Sequence, residues 1–204
     1  MVKAFTPIES PPVVIRLQPV FDVTEDKFFE FCRLNSDWRI ERTAQGEVLI
    51  MPPTGGETGS RDAKLTTQLT NWAARDGTGV AFGSSTGFDL PNGATRSPDA
   101  SWVERSRLEM LTREQKQKFL PLCPDFVIEL RSPSDRLEDL KEKMQEYIDN
   151  GTRLGWLLDP NNRRVYVYRP GSPVECLDNL TNISAAPVLQ GFTLDLGEAW
   201  EPGF

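Results

Sequence analysis

The sequence predicts a mixed α/β domain in which one sheet is covered by helices. Three observations predict it. Two long segments, 57–75 and 132–150, repeat apolar residues at helical spacing. Short runs rich in β-branched and aromatic residues lie between and after them and read as strands. Gly, Pro and Asn clusters punctuate the boundaries, and the order helix, strands, helix, strand suits a single sheet with helices on its faces.

Residues 1–20, with Pro7, Pro11, Pro12 and Pro19, read as an extended arm, and 21–204 as one domain. Thr24 is placed to cap a helix running to Leu34, with Phe28, Phe31 and Cys32 turned inward. Residues 38–41 and 47–51 read as a strand pair. The cluster Pro52-Pro53-Thr54-Gly55-Gly56 breaks the chain before the first long helix, whose Leu65, Leu69 and Trp72 share one face. Asp76-Gly77 ends that helix. Strands are expected over 80–90 and 96–104 around the turn Pro91-Asn92-Gly93, and a short helix over 112–119. Residues 125–130, DFVIEL, form a near-continuous apolar run that suits a central strand covered on both faces. Ser132-Pro133-Ser134-Asp135 opens the second long helix, with Leu137, Leu140, Met144, Tyr147 and Ile148 as its buried stripe and Gly151 as its stop. Strands follow at 154–158 and 164–168, and a last one within 188–196.

Composition narrows the chemistry. The chain contains no histidine, which removes Ser-His-Asp triads, Cys-His pairs and HExxH zinc sites. Cys32, Cys123 and Cys176 are scattered, without a CxxC pair, and read as reduced thiols. A metal site would have to rely on oxygen donors, which favours Mg²⁺, Mn²⁺ or Ca²⁺. No run of about 18 apolar residues marks a membrane span, and the first residues lack the apolar core of a signal peptide, so a cytoplasmic location is expected. The net charge of -7 counts against tight, nonspecific binding of nucleic acid, because phosphates are neutralised by Lys and Arg.

Two acids stand beside apolar runs. Asp99 follows Pro98 in SPDASWV, and Glu129 nearly ends FVIEL. A carboxylate at the end of a buried strand is costly unless it is paired or bound to a metal. A salt bridge of Glu129 with Arg131 or Arg96 would satisfy that requirement as well as a cation would.

Taken together, the residues are more specific. Pro98-Asp99, then 124–135 (PDFVIELRSPSD), then Lys143-x-x-x-Tyr147, Asn150-Gly151 and 155–160 (GWLLDP) resemble a much-duplicated bacterial family of restriction endonucleases within the PD-(D/E)XK nuclease superfamily. The likeness spans roughly 21–196. It implies a restriction-endonuclease-like mixed central sheet of four strands flanked by helices, here with an added N-terminal β-hairpin and arm. It implies Asp99 and Glu129 as ligands of Mg²⁺ or Mn²⁺, DNA as substrate and a homodimer as the assembly. Two positions depart from the pattern. Arg131 stands where the superfamily usually has Lys, and Arg cannot act as a base. Lys143 matches the position to which the lysine has moved in the resembling family, although an i,i+4 pair with Asp139 would also explain it, and Lys141 is its rival. Thr58 stands where family members commonly carry His; Glu57 before it is either a site acid or a helix-dipole acid. A basic rim of Arg61, Lys64, Arg96, Arg131 and Arg136 is expected to meet DNA, with modest and salt-dependent affinity. The alternative is a nuclease-fold protein without catalysis that binds nucleic acid or another protein.

Overall fold

The computed structural model describes residues 12–204. Part of the arm expected over 1–20 is outside them; of the rest, β1 (Val13–Arg16) is a strand. It is followed by α1 (Glu25–Leu34), β2 (Arg39–Arg42), β3 (Glu47–Met51), α2 (Gly56–Asp76), β4 (Gly79–Gly83), β5 (Phe88–Asp89), β6 (Thr95–Arg96), β7 (Ala100–Glu104) and α3 (Arg105–Glu109). Then come β8 (Phe126–Leu130), α4 (Leu137–Asp149), β9 (Leu154–Asp159), β10 (Arg164–Tyr168), β11 (Glu175–Asp178), β12 (Asn182–Ser184), β13 (Thr193–Asp195) and α5 (Gly197–Trp200).

The central sheet has six strands in the order β11-β10-β9-β8-β7-β4. It is mixed: β8 and β9 run parallel, and every other neighbour is antiparallel. The parallel pair requires a crossover, and α4 provides it. A second sheet, β1-β3-β2-β6-β5, absorbs the predicted hairpin, and β12 pairs with β13.

Alternation along β8 decides what covers each face. Phe126, Ile128 and Leu130 join Leu65, Leu69 and Trp72 of α2, while Val127 packs with Met144 and Tyr147 of α4. Leu65 and Leu69 are fully buried, which stabilises the fold by roughly 1.5–3 kcal/mol each. α4 sits close on β9 because residue 155 is glycine: a Cβ there would come within 2.5 Å of the Met144 methyl and 3.3 Å of Val127.

Several expectations need correction. The strand predicted over 80–90 is two strands, β4 and β5, in different sheets. The strand over 96–104 likewise divides into β6 and β7, because Pro98 cannot extend a ladder and the chain changes sheets there. Over 112–119 only a 3₁₀ turn forms, Gln115–Gln117. Ser132–Asp135 is a turn closed by the Asp135 carboxylate on the Ser132 N–H, so α4 begins later than the serines suggest. In α1, Phe28 is buried but Phe31 is 37% exposed.

Candidate active site

The point where the chain changes sheets is where the acids meet. Strands β7 and β8 pair antiparallel with Ala100 opposite Ile128. Asp99 lies in a bend immediately before β7, at the end of this ladder, and its charge is felt by Glu129. The Asp99 carboxylate closes this end of the ladder: Oδ2 accepts the Leu130 N–H at 2.8 Å. Its other oxygen, Oδ1, accepts from Arg39 Nη2 at 3.1 Å.

Glu129 is 3% exposed and lies on the α4 face of the sheet. Its Oε1 meets Lys143 Nζ at 2.9 Å and accepts the Tyr147 hydroxyl at 2.9 Å. Both partners come from α4, at i and i+4, so they occupy one helical face. Lys143 Nζ also donates to Glu41 Oε1 at 2.9 Å. Lys141 instead pairs with Glu138, and Asp139 with Arg136.

Glu41 was not singled out from sequence. It lies on β2, 2% exposed, and receives Lys143, the Ser97 N–H at 3.0 Å and Arg96 at 3.2 Å. Arg96 in turn holds Glu146 at 2.6 Å. The only hint in the sequence is the alternation Arg39-Ile40-Glu41, which puts both charges on one face of a strand. Ile40 turns the other way, into the small core around Phe28.

The electrostatics separate the two glutamates that share Lys143. Burial pushes both carboxyls upward. For Glu41, Lys143, Arg96 and Arg39 overcome it and draw the pKa down to about 2. For Glu129, burial prevails over Lys143 and is reinforced by Asp99 and Glu41, giving a value of about 7. Lys143 is itself disfavoured by burial, yet Glu129 and Glu41 raise its pKa and keep it an ammonium. A further acid belongs to this neighbourhood. Asp62, on α2, is raised to about 6 by burial and by the charge of Asp99. Its Oδ2 accepts from Ser84, and its buried Oδ1 has no hydrogen-bond partner among the described residues.

Other sequence candidates lie apart from this cluster. The Glu57 side chain is 61% exposed and pairs with Arg61, touching none of Asp99, Glu129 or Lys143. Arg61 is also bound to the Ala199 carbonyl, and Lys64 to that of Pro202, so the end of the chain lies over this part of α2. Arg96 is spent on Glu41 and Glu146, and Arg131 on Asp159 across the β8–β9 pair. Of the five rim cations, Arg136 keeps most of its surface, 81%.

Among the described residues, no three His, Cys, Asp or Glu side chains form a ready-made metal cage. The donors still fit one kind of ion. Asp99 and Glu129 offer oxygen only, and Mg²⁺ is commonly held by one or two carboxylates with waters and substrate phosphate completing its shell. The orphaned Asp62 Oδ1 beside Asp99 is a further oxygen suited to such an ion or its water.

The fold is that of the restriction-endonuclease-like class. It matches a solved structure described as a "putative nuclease belonging to DUF820" from Anabaena variabilis ATCC 29413, with a TM-score of 0.71 at 19% identity, covering 88% of this chain and 98% of that one. The chain belongs to the Uma2 family, described as "Putative restriction endonuclease", whose model matches residues 25–197. Among curated proteins nothing matches. Family membership supports a nuclease acting on nucleic acid, and no helix among the described residues is long and apolar enough to cross a membrane.

Proposed function

We propose that this protein is a Mg²⁺-dependent endonuclease that hydrolyses DNA phosphodiester bonds in the cytoplasm, working as a homodimer. One observation carries the reading: Lys143 Nζ lies 2.9 Å from Glu129 Oε1, and the next residue, Leu130, donates its N–H to the Asp99 carboxylate at 2.8 Å. Two carboxylates and a lysine from the following helix are what phosphodiester hydrolysis asks of a site without histidine. Asp99 and Glu129 would hold the cation. Bound there, it would lower the pKa of a water and offset charge on the phosphoryl oxygens.

The protein's own groups do the rest. Lys143 has three N–H donors and spends two, on Glu129 and Glu41, leaving one to orient the attacking water or a phosphoryl oxygen. Its raised pKa makes it a donor and a positive charge rather than a base. Tyr147 donates to the same Glu129 oxygen as Lys143 and helps orient the carboxylate. Leu130 N–H and Arg39 fix Asp99, so both acids are oriented before any ligand arrives.

The test is direct. The pure protein is incubated with supercoiled plasmid in Mg²⁺, Mn²⁺ or EDTA, beside Asp99→Asn. Nicking or linearisation in Mg²⁺ that disappears in EDTA and in the variant is the expected result. A second reading, a binding module without catalysis, draws on Thr58 standing where related chains commonly carry His. Duplex binding with no metal-dependent cleavage would favour it.

A further inference from the structure

Arg96, Arg131 and Arg39 differ in what they have left to give. Arg96 is 10% exposed and divided between Glu41 and Glu146. Arg131 is held by Asp159 at 2.9 Å and by the Asp135 carbonyl. Arg39 differs. Its Nη2 donates to the Ser97 carbonyl at 2.6 Å and to Asp99 at 3.1 Å, but its buried Nε has no partner among the described residues. The side chain keeps 31% of its surface, against 14% for Lys143.

We propose that Arg39 is the side chain that grips the scissile phosphate, a role that rests on the nuclease reading above. A guanidinium offers its N–H donors in a planar fork that matches two phosphate oxygens, and it cannot lose its charge. Lys143 is committed to two carboxylates, and the other two arginines to theirs. Arg39 is therefore the cation beside Asp99 with surface to spare, and the edge it can offer is the one away from its buried Nε. Its position follows from β2: the strand carries Glu41 toward Lys143, and alternation carries Arg39 to the same face two residues earlier. The acids around it explain why a cation is needed there. Asp62, Asp99, Glu129 and Glu41 would repel an approaching phosphodiester, and a fixed guanidinium beside Asp99 counters that repulsion where the reacting phosphorus must sit.

The test uses the full chain and a fluorescein-labelled DNA duplex. Binding is read by anisotropy in Ca²⁺ across a salt series, with the duplex checked on a gel, and cleavage is read in Mg²⁺. In Arg39→Gln the slope of log affinity against log salt should fall by about one, the signature of one lost phosphate contact. The kcat at saturating DNA should fall on the order of a hundredfold. Arg39→Lys should restore the slope but only part of the rate, because it keeps charge and loses the fork. Arg164→Gln, on the outer strand β10 and paired with Asp178, should match the wild type in both. A retained slope with kcat within about threefold of wild type would overturn the proposal and leave Arg39 as a structural partner of Asp99. Circular dichroism checks that Arg39→Gln is folded; should it not be, Arg39→Lys decides, since a structural partner replaced by Lys would recover the full rate. If the wild type binds duplex without cutting it, the nuclease reading fails and the salt slope alone judges Arg39. If the wild type does not bind duplex at all, both readings fall.

Discussion

Lys143 is the residue on which most of the site converges. Replacing it with Met keeps much of the stem packing and removes the charge shared by Glu41 and Glu129. Cleavage by Lys143→Met should be close to nil, whereas Lys141→Met, which loses a surface partner in Glu138, should cut at nearly the wild-type rate. Equal activity in wild type and Lys143→Met would remove lysine from the mechanism. Glu41 is the counterpart whose role is positioning. In Glu41→Gln the buried Lys143 and Arg96 lose a carboxylate they share, which should lower stability by about 1–3 kcal/mol. It should also lower kcat more than KM, because the lysine is held from one side only. Urea unfolding and steady-state kinetics measure the two effects, and a Glu41→Gln that loses stability with unchanged kcat would reduce it to a packing residue.

At the scale of elements, two contacts decide whether α4 and the parallel pair β8–β9 keep their places. Gly155→Ala puts a methyl into the Met144 side chain, and Met144 follows Lys143 on α4. A cost of about 1–2 kcal/mol is expected, moderated because the methionine end can swing, and a lower Tm should be accompanied by slower cleavage. Arg131→Met tests the other contact. It leaves Asp159, which is 0% exposed, without its cation, and should destabilise by about 3–5 kcal/mol. The folded fraction should still cut, since Arg131 faces Asp159 rather than the acids. A stable but inactive Arg131→Met would return the cation's role to the strand. The helices α2 and α4 were legible in the sequence because a stripe of Leu, Trp, Met and Tyr at helical spacing is a local signal. So was β8, an uninterrupted apolar run. The division of 80–90 and 96–104 between two sheets was not, since residue type records that a segment is extended and not which neighbour it pairs with. Glu41 was hidden for the same reason: its burial comes from Lys143 and Arg96, which are distant in sequence.

For the whole molecule, the buried acids tie stability to pH and to cations. Glu129 holds its proton up to about 7 when folded, against an ordinary value of 4.5, and Asp62 up to about 6, against 3.8. Between those limits the folded state binds more protons than the unfolded one, so stability falls as pH rises through that window. Glu41 acts in the opposite sense: its pKa of about 2 contributes stability that is present above 4.5 and lost as pH falls toward 2. The metal-free protein should therefore have its highest Tm in mildly acid buffer. Added Mg²⁺ should raise Tm more at about pH 7.5 than at about pH 5.5, because only ionised carboxylates receive it. Scanning fluorimetry at both values is sufficient, and a larger gain at the lower pH would argue against these acids as the metal site. The net charge of -7 belongs to this scale as well. Duplex affinity should drop steeply between about 50 and 200 mM salt, since only local cations oppose an acidic whole.

The Lys143–Glu41 contact joins residues 102 positions apart in the chain, whereas Lys143 and Glu129 are near neighbours. Closing that long loop requires the N-terminal sheet to be in place against α4, and long-range pairings of this kind form late in folding. A nascent, nicked or partly unfolded molecule can therefore hold its β7–β8 pair and still lack the Glu41 contact that fixes the lysine from the far side. If the chain cuts as proposed above, assembly across two sheets would act as a safety catch, withholding the cut until both sheets have formed.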